Sequence, residues 1–86
     1  MKLVKIMTKA HKLWNEFVNA DAKHRRELLD KVEKKIVEAK QKLASKRVSW
    51  QRKRDYRDIL AVYTDLKKRM EYFEKRQAYL YKYLKD

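Results

Sequence analysis

The chain contains no cysteine, no glycine and no proline. Without cysteine it has neither disulfide staples nor thiolate metal ligands, and redox chemistry says nothing about its compartment. Without glycine, phosphate-cradling loops and tight primed hairpins are excluded. Without proline there is no stiff extended linker. Acidic residues are scarce, 12 against 25 Lys and Arg, which leaves a net charge of +13 on 86 residues. Long apolar runs are missing too: none approaches the roughly 18–20 residues of a membrane span. The opening stretch MKLVKIMTKAHKLW is interrupted by Lys2, Lys5, Lys9 and Lys12 and so lacks the unbroken apolar region of a secretory leader. With no Arg before Arg25 it also differs from an organelle transit peptide. The expected location is intracellular, in the cytoplasm.

What remains is material for helices. Of 38 hydrophobic residues, seven are Ala and six are Tyr, so 25 larger apolar side chains are left to form a core. That suffices for one small domain, residues 1–86, of a size at which a partner or an oligomer often completes the fold. Val4, Met7, Ala10, Trp14, Phe17 and Val18 recur at helical steps, widened by Leu3, Ile6 and Leu13, with the lysines opposite. This spacing predicts an amphipathic helix over about 2–19. Nine residues from Asn19 to Glu27 then lack any large apolar side chain, and Asn19 and Asp21 are both suited to cap a new helix. Leu29, Val32, Ile36, Ala39 and Leu43 form a heptad seam that predicts a second helix over about 21–46. Pairs four residues apart support it: Glu27 with Lys31, Asp30 with Lys34, Glu38 with Lys42. Tyr56, Ile59, Tyr63, Leu66, Met70, Phe73, Gln77, Leu80 and Leu84 step by three and four without a miss and predict a third helix over about 50–84.

The two seams differ in phase, since Leu43 to Tyr56 is one residue short of two heptads. The misfit falls between Ser45 and Asp55, where Ser49 can cap a new helix, so a turn is expected near 46–49; one continuous rod from about Asp21 to Leu84 is the alternative. The fold class is therefore all-α, either an antiparallel hairpin of long helices or a three-helix bundle, with coiled-coil-like packing. A third helix of about 50 Å against a second of about 37 Å leaves an overhang, with Phe73 expected beside Ala22 and residues 74–84 beyond. Two arrangements can cover the aromatic end carrying Tyr79, Leu80, Tyr81, Tyr83 and Leu84. Helix one continues in line with helix two and meets it, or helix one folds back and the end serves as an interface with a second subunit. The second arrangement, and with it a homodimer, is the preferred expectation.

Little here can carry catalysis. There are two His, His11 and His24, and four Ser or Thr residues, none in a recognisable nucleophile setting. Asp21, His24 and Glu27 share a helical face, but a bundle metal site draws further ligands from other helices, so an exposed His is the preferred reading. No metal, no cofactor and no enzymatic activity are expected. The charge is more telling. Lys46, Arg47, Arg52, Lys53, Arg54 and Arg57 stand against one carboxylate, Asp55, with Trp50 and Tyr56 interleaved. Arg forks onto phosphate oxygens, and an exposed ring can stack an unpaired base. The competing structural reading makes Trp50 a cap on the core and Tyr56 a seam residue. A second basic row, Lys68, Lys75 and Lys82 with Arg69 and Arg76, follows, diluted by Asp65, Glu71 and Glu74; it reads first as a solvated face with Asp65–Arg69 and Glu71–Lys75 pairs.

These patterns favour a non-enzymatic nucleic-acid-binding module, DNA or RNA, gripping phosphates through the 46–57 cluster. No helix-turn-helix, zinc-finger or RNA-recognition signature supports base-specific readout. The alternative is a protein-interaction factor, an adaptor or inhibitor docking on an acidic protein surface; its composition is shared with small phage-encoded products, a likeness of composition alone. Attachment of the N-terminal Lys stripe to an anionic bilayer is the least favoured reading.

Overall fold

The structure, a computed structural model, describes residues 2–84; the side chain of Lys2, part of the N-terminal stripe, lies outside the description. Three helices follow one another: α1 (Lys2–Val18), α2 (Ala22–Ala44) and α3 (Trp50–Leu84). The expected boundaries hold to within two residues, and the break between α2 and α3 rules out the continuous rod.

Each break has a local cause. Asp21 is the N-cap of α2, its Oδ1 accepting from the His24 amide at 2.8 Å. Asn19 turns the other way, its Nδ2 donating to the Asn15 carbonyl at 2.8 Å. Of the two capping candidates only Asp21 faces the exposed amides of the new helix. At the second break Ser45 has extended backbone (φ −77°, ψ 130°), and its amide donates to the Lys42 carbonyl at 3.3 Å. Ser49 Oγ lies 3.4 Å from the Arg52 amide at the start of α3, and the Lys53 amide donates to the Ser49 carbonyl at 3.0 Å. Two serines and an aspartate thus do the work that glycine and proline do elsewhere.

The helices form a three-helix bundle, with α1 folded back. The N-terminal half of α1, at Val4 and Met7, lies across a cleft from Ala61 and Val62, whereas Trp14 and Phe17 reach Phe73. α1 therefore runs parallel to α3 and antiparallel to α2. Contact between Arg25 and Glu74, and between Glu33 and Lys67 at 3.6 Å, sets the α2–α3 register. This register carries α2 about one turn further along α3 than the pairing of Ala22 with Phe73 that helix lengths suggested.

The core comprises Ala10, Phe17, Leu28, Val32, Ile36, Ala39, Tyr63, Leu66 and Met70. At the start of α2 the buried leucine is Leu28, with Leu29 half-buried beside it. The expected seam began at Leu29, but α1 and α3 flank α2 on two sides, and the fully covered position falls between them. In α1 the buried positions Ala10 and Phe17 are flanked by half-buried Ile6, Leu13 and Trp14, while Leu3, Val4 and Met7 are exposed. On α3 the seam is covered through Phe73; every residue from Lys75 to Leu84 is exposed. The molecule measures 55 × 23 × 16 Å, and its radius of gyration of 15.4 Å exceeds the ~12 Å of a compact domain of this length.

Candidate nucleic-acid interface

The α2–α3 turn and the first two turns of α3 gather the basic run at one end of the bundle. Lys46 and Arg47 lie in the turn, whose geometry is held by the Arg47 amide donating to Ser45 Oγ at 3.3 Å. Arg52, Lys53, Arg54 and Arg57 follow on α3. All are exposed except Lys53, which is half-buried. Asp55, the one carboxylate in the stretch, is itself engaged, and a single carboxylate leaves most of six cationic charges uncompensated. Elsewhere in the bundle, ion pairs join His24 with Glu16 and Glu27, Arg25 with Glu74, Lys67 with Glu33, and Arg69 with Asp65 at 3.1 Å.

Trp50 corrects the structural reading that made it a cap on the core. It is 73% exposed, because the first residue of α3 stands beyond the last covered turn of α2 and its ring points away from the seam. Tyr56, by contrast, is half-buried, as a seam residue should be.

A feature that spacing within the two basic rows did not reveal emerges along α3. Trp50, Arg54, Arg57, Ala61, Lys68, Tyr72, Lys75, Tyr79 and Lys82 are all exposed. With half-buried Thr64 they follow one another at three- and four-residue steps, so they form a single stripe along the helix, bordered on one side by the α1–α3 cleft that Ala61 also lines. The tip cluster and the Lys68–Lys75–Lys82 row thus share one face about 50 Å long, with exposed rings set among the cations. The signal was present in the sequence as the bridging positions Ala61 and Thr64, but these carry no charge and drew no attention. Asp65 and Arg69, paired as expected, flank the stripe.

His24 sits between two carboxylates. Its Nε2 is 2.8 Å from Glu16 Oε1 and its Nδ1 is 3.5 Å from Glu27 Oε2. The hydrogen bond to Glu16 is the largest influence and raises its pKa above the usual 6.5, opposed by partial desolvation. Among the described residues no group of three or more His, Cys, Asp or Glu side chains converges as a metal site, and no helix is long and apolar enough to cross a membrane. The expected interface residues Tyr79, Leu80, Tyr81, Tyr83 and Leu84 are all exposed on the protruding end of α3, with the Tyr79 and Tyr83 rings 5.4 Å apart.

Sequence reasoning missed Arg25. Its Nε donates to Glu74, its Nη1 donates to the Ala20 carbonyl at 2.8 Å, and its guanidinium carbon lies 5.8 Å from the centre of the Phe73 ring. One side chain so ties the α1–α2 turn to α3, across 49 residues of sequence that no local pattern bridges. No family, no curated protein and no solved structure matches this chain.

Proposed function

We propose that this protein is a non-enzymatic nucleic-acid-binding module that holds DNA or RNA through phosphate contacts. Lys46, Arg47, Arg52, Lys53, Arg54 and Arg57 supply the grip, and Trp50 supplies an exposed ring for stacking. The observation carrying this reading is the gathering of the six cations at one tip around a tryptophan that the core does not use. A single exposed ring is ordinary on a protein surface; what supports the reading is that this one stands among cations that could hold the phosphates on either side of a stacked base. First-turn amides of α3 add donors and positive dipole at the same end. The α3 stripe extends the footprint beyond the tip.

Binding of this kind is driven by counterion release and is largely indifferent to sequence. If all six cations engage, the slope of log K against log salt is roughly −4 to −5, from about 0.7–0.9 per phosphate neutralised. Fluorescence anisotropy with labelled DNA and RNA across a salt series measures it. Replacing Arg52, Lys53, Arg54 and Arg57 together by Glu abolishes binding while circular dichroism stays helical. A flat salt response, or full binding by the Glu variant, refutes the reading.

The exposed aromatic end favours a second reading, in which the same charges dock on an acidic protein. Capture from lysate before and after nuclease digestion separates the two. A protein partner survives digestion, and an association bridged by nucleic acid does not.

A further inference from the structure

Tyr72 lies on the α3 stripe with a ring of cations around it. Its helical neighbours three and four residues away are Lys68, Arg69, Lys75 and Arg76, and all four are exposed. Tyr72 also forms one wall of a hollow of about 430 Å³ that is lined further by Trp14, Lys68, Arg69, Phe73 and Arg76. Half-buried Trp14 and Phe73 make its floor, and the cations stand at its rim. Three aromatic side chains thus meet three cations in one depression. Of the nearby carboxylates, Asp65 is held by Arg69 at 3.1 Å and Glu74 by Arg25, while Glu71 borders the stripe on its other side.

The charges of α3 are sorted by face. The stripe carries Arg54, Arg57, Lys68, Lys75 and Lys82 and no carboxylate, whereas all five carboxylates of the helix (Asp55, Asp58, Asp65, Glu71 and Glu74) lie off it. Five cations remain on the other faces, equal in number to those carboxylates, so the whole surplus of α3 falls on one face. Charge that served solubility alone would have no reason to be confined in this way. Along the same face Trp50, Tyr72 and Tyr79 are 73%, 66% and 61% exposed, and they are set between the cations. A polymer that matches such a surface carries a flat ring and a negative charge in every unit.

We infer that the stripe binds an unpaired strand of nucleic acid, with one base stacked on Tyr72 in the hollow and its flanking phosphates on Lys68, Lys75 and Arg76. The inference rests on the phosphate-binding function proposed above and names its ligand class. A duplex is the poorer match for two reasons. Its bases stack on one another and present only their edges, so exposed rings gain nothing from them. Its grooves also wind around an axis, and a straight helix leaves them after a few turns. A flexible strand instead follows the full ~44 Å of helix from Trp50 to Tyr79. Because every base has a stacking face, little sequence preference accompanies such binding.

Competition anisotropy at one fixed salt concentration tests it. Homothymidine and homouridine strands of about 16 nucleotides, which at ~3.4 Å each outreach the stripe, are run as separate arms against a duplex of equal length. The single strands are expected to bind about tenfold tighter, despite the denser charge of the duplex. Tyr72→Ala is expected to weaken single-strand binding about tenfold and to erase most of the preference over duplex, and Tyr72→Phe to restore both. Helicity is retained because the Tyr72 ring is exposed and outside the core. A second readout uses the unaltered protein: strands carrying 5-iodouracil, activated by light, attach at Tyr72 as well as at Trp50, as located by peptide mapping. Equal or tighter binding of the duplex, full single-strand affinity in Tyr72→Ala, or attachment confined to the tip overturns this inference; salt-dependent binding through the 46–57 cluster would then leave the phosphate reading standing. Failure of the unaltered protein to bind any of these nucleic acids overturns both.

Discussion

Phe17 shows how few side chains hold this fold. It is fully buried, with its ring 6.0 Å from Trp14 and 5.4 Å from Phe73. Removing such a ring from a core typically costs about 3–5 kcal/mol, comparable with all that a single core of this size supplies. Phe17→Ala is expected to lose cooperative thermal unfolding by circular dichroism. The aromatic trio was half legible: Trp14 and Phe17 stand out as core by period, and Phe73 by the α3 seam, but only the folded-back course of α1 brings the three together. His24 gives a residue-scale prediction of the opposite kind, gentle and pH-dependent. Its folded pKa is raised by Glu16, so its stabilising contribution is complete below pH 6.5 and fades as pH rises through the higher folded value. The thermal midpoint should therefore fall between pH 6 and pH 8 by an amount that His24→Gln abolishes; no such difference would mean that the Glu16 contact is not kept in solution.

At the scale of the helices, boundaries were the most legible feature, because period and phase are properties of the chain itself. The one-residue phase slip between Leu43 and Tyr56 marked a break that neither glycine nor proline announced. What could not be read was which side of α2 would be covered. Leu28 rather than Leu29 is enclosed, since a heptad seam describes contact with one partner and α2 has two. Asp21 carries the α1–α2 break through its bond to the His24 amide. Asp21→Ala is expected to lower stability by about 1 kcal/mol, measured by urea unfolding, whereas Asn19→Ala, which leaves that cap intact, is expected to have a smaller effect. Equal losses from both would shift the boundary toward Asn19.

For the molecule as a whole, charge sets the limits. A surplus of +13 on a thin 55 Å body disfavours compactness through self-repulsion. The thermal midpoint is therefore expected to rise with sodium chloride, by several degrees if screening returns about 1 kcal/mol to a domain of this size. Sulfate should raise it further at equal ionic strength if anions settle at the tip. A midpoint that falls with salt would show that attractive ion pairs such as Arg25–Glu74 outweigh the repulsion. The net charge was visible from composition, and so was its concentration between Lys46 and Arg57. The shared α3 face was not, because it depends on which flank the other two helices leave open.

The two tryptophans have ended up in contrasting surroundings, one wedged against Phe17 and Phe73, the other standing in water at the cationic end. The molecule therefore contains two optical probes that respond to different events. Emission from Trp14 follows unfolding, and quenching by iodide, itself drawn to the arginines, singles out Trp50. With a Trp50→Phe variant as the blank, one unlabelled sample can distinguish ligand capture at the tip from loosening of the interior.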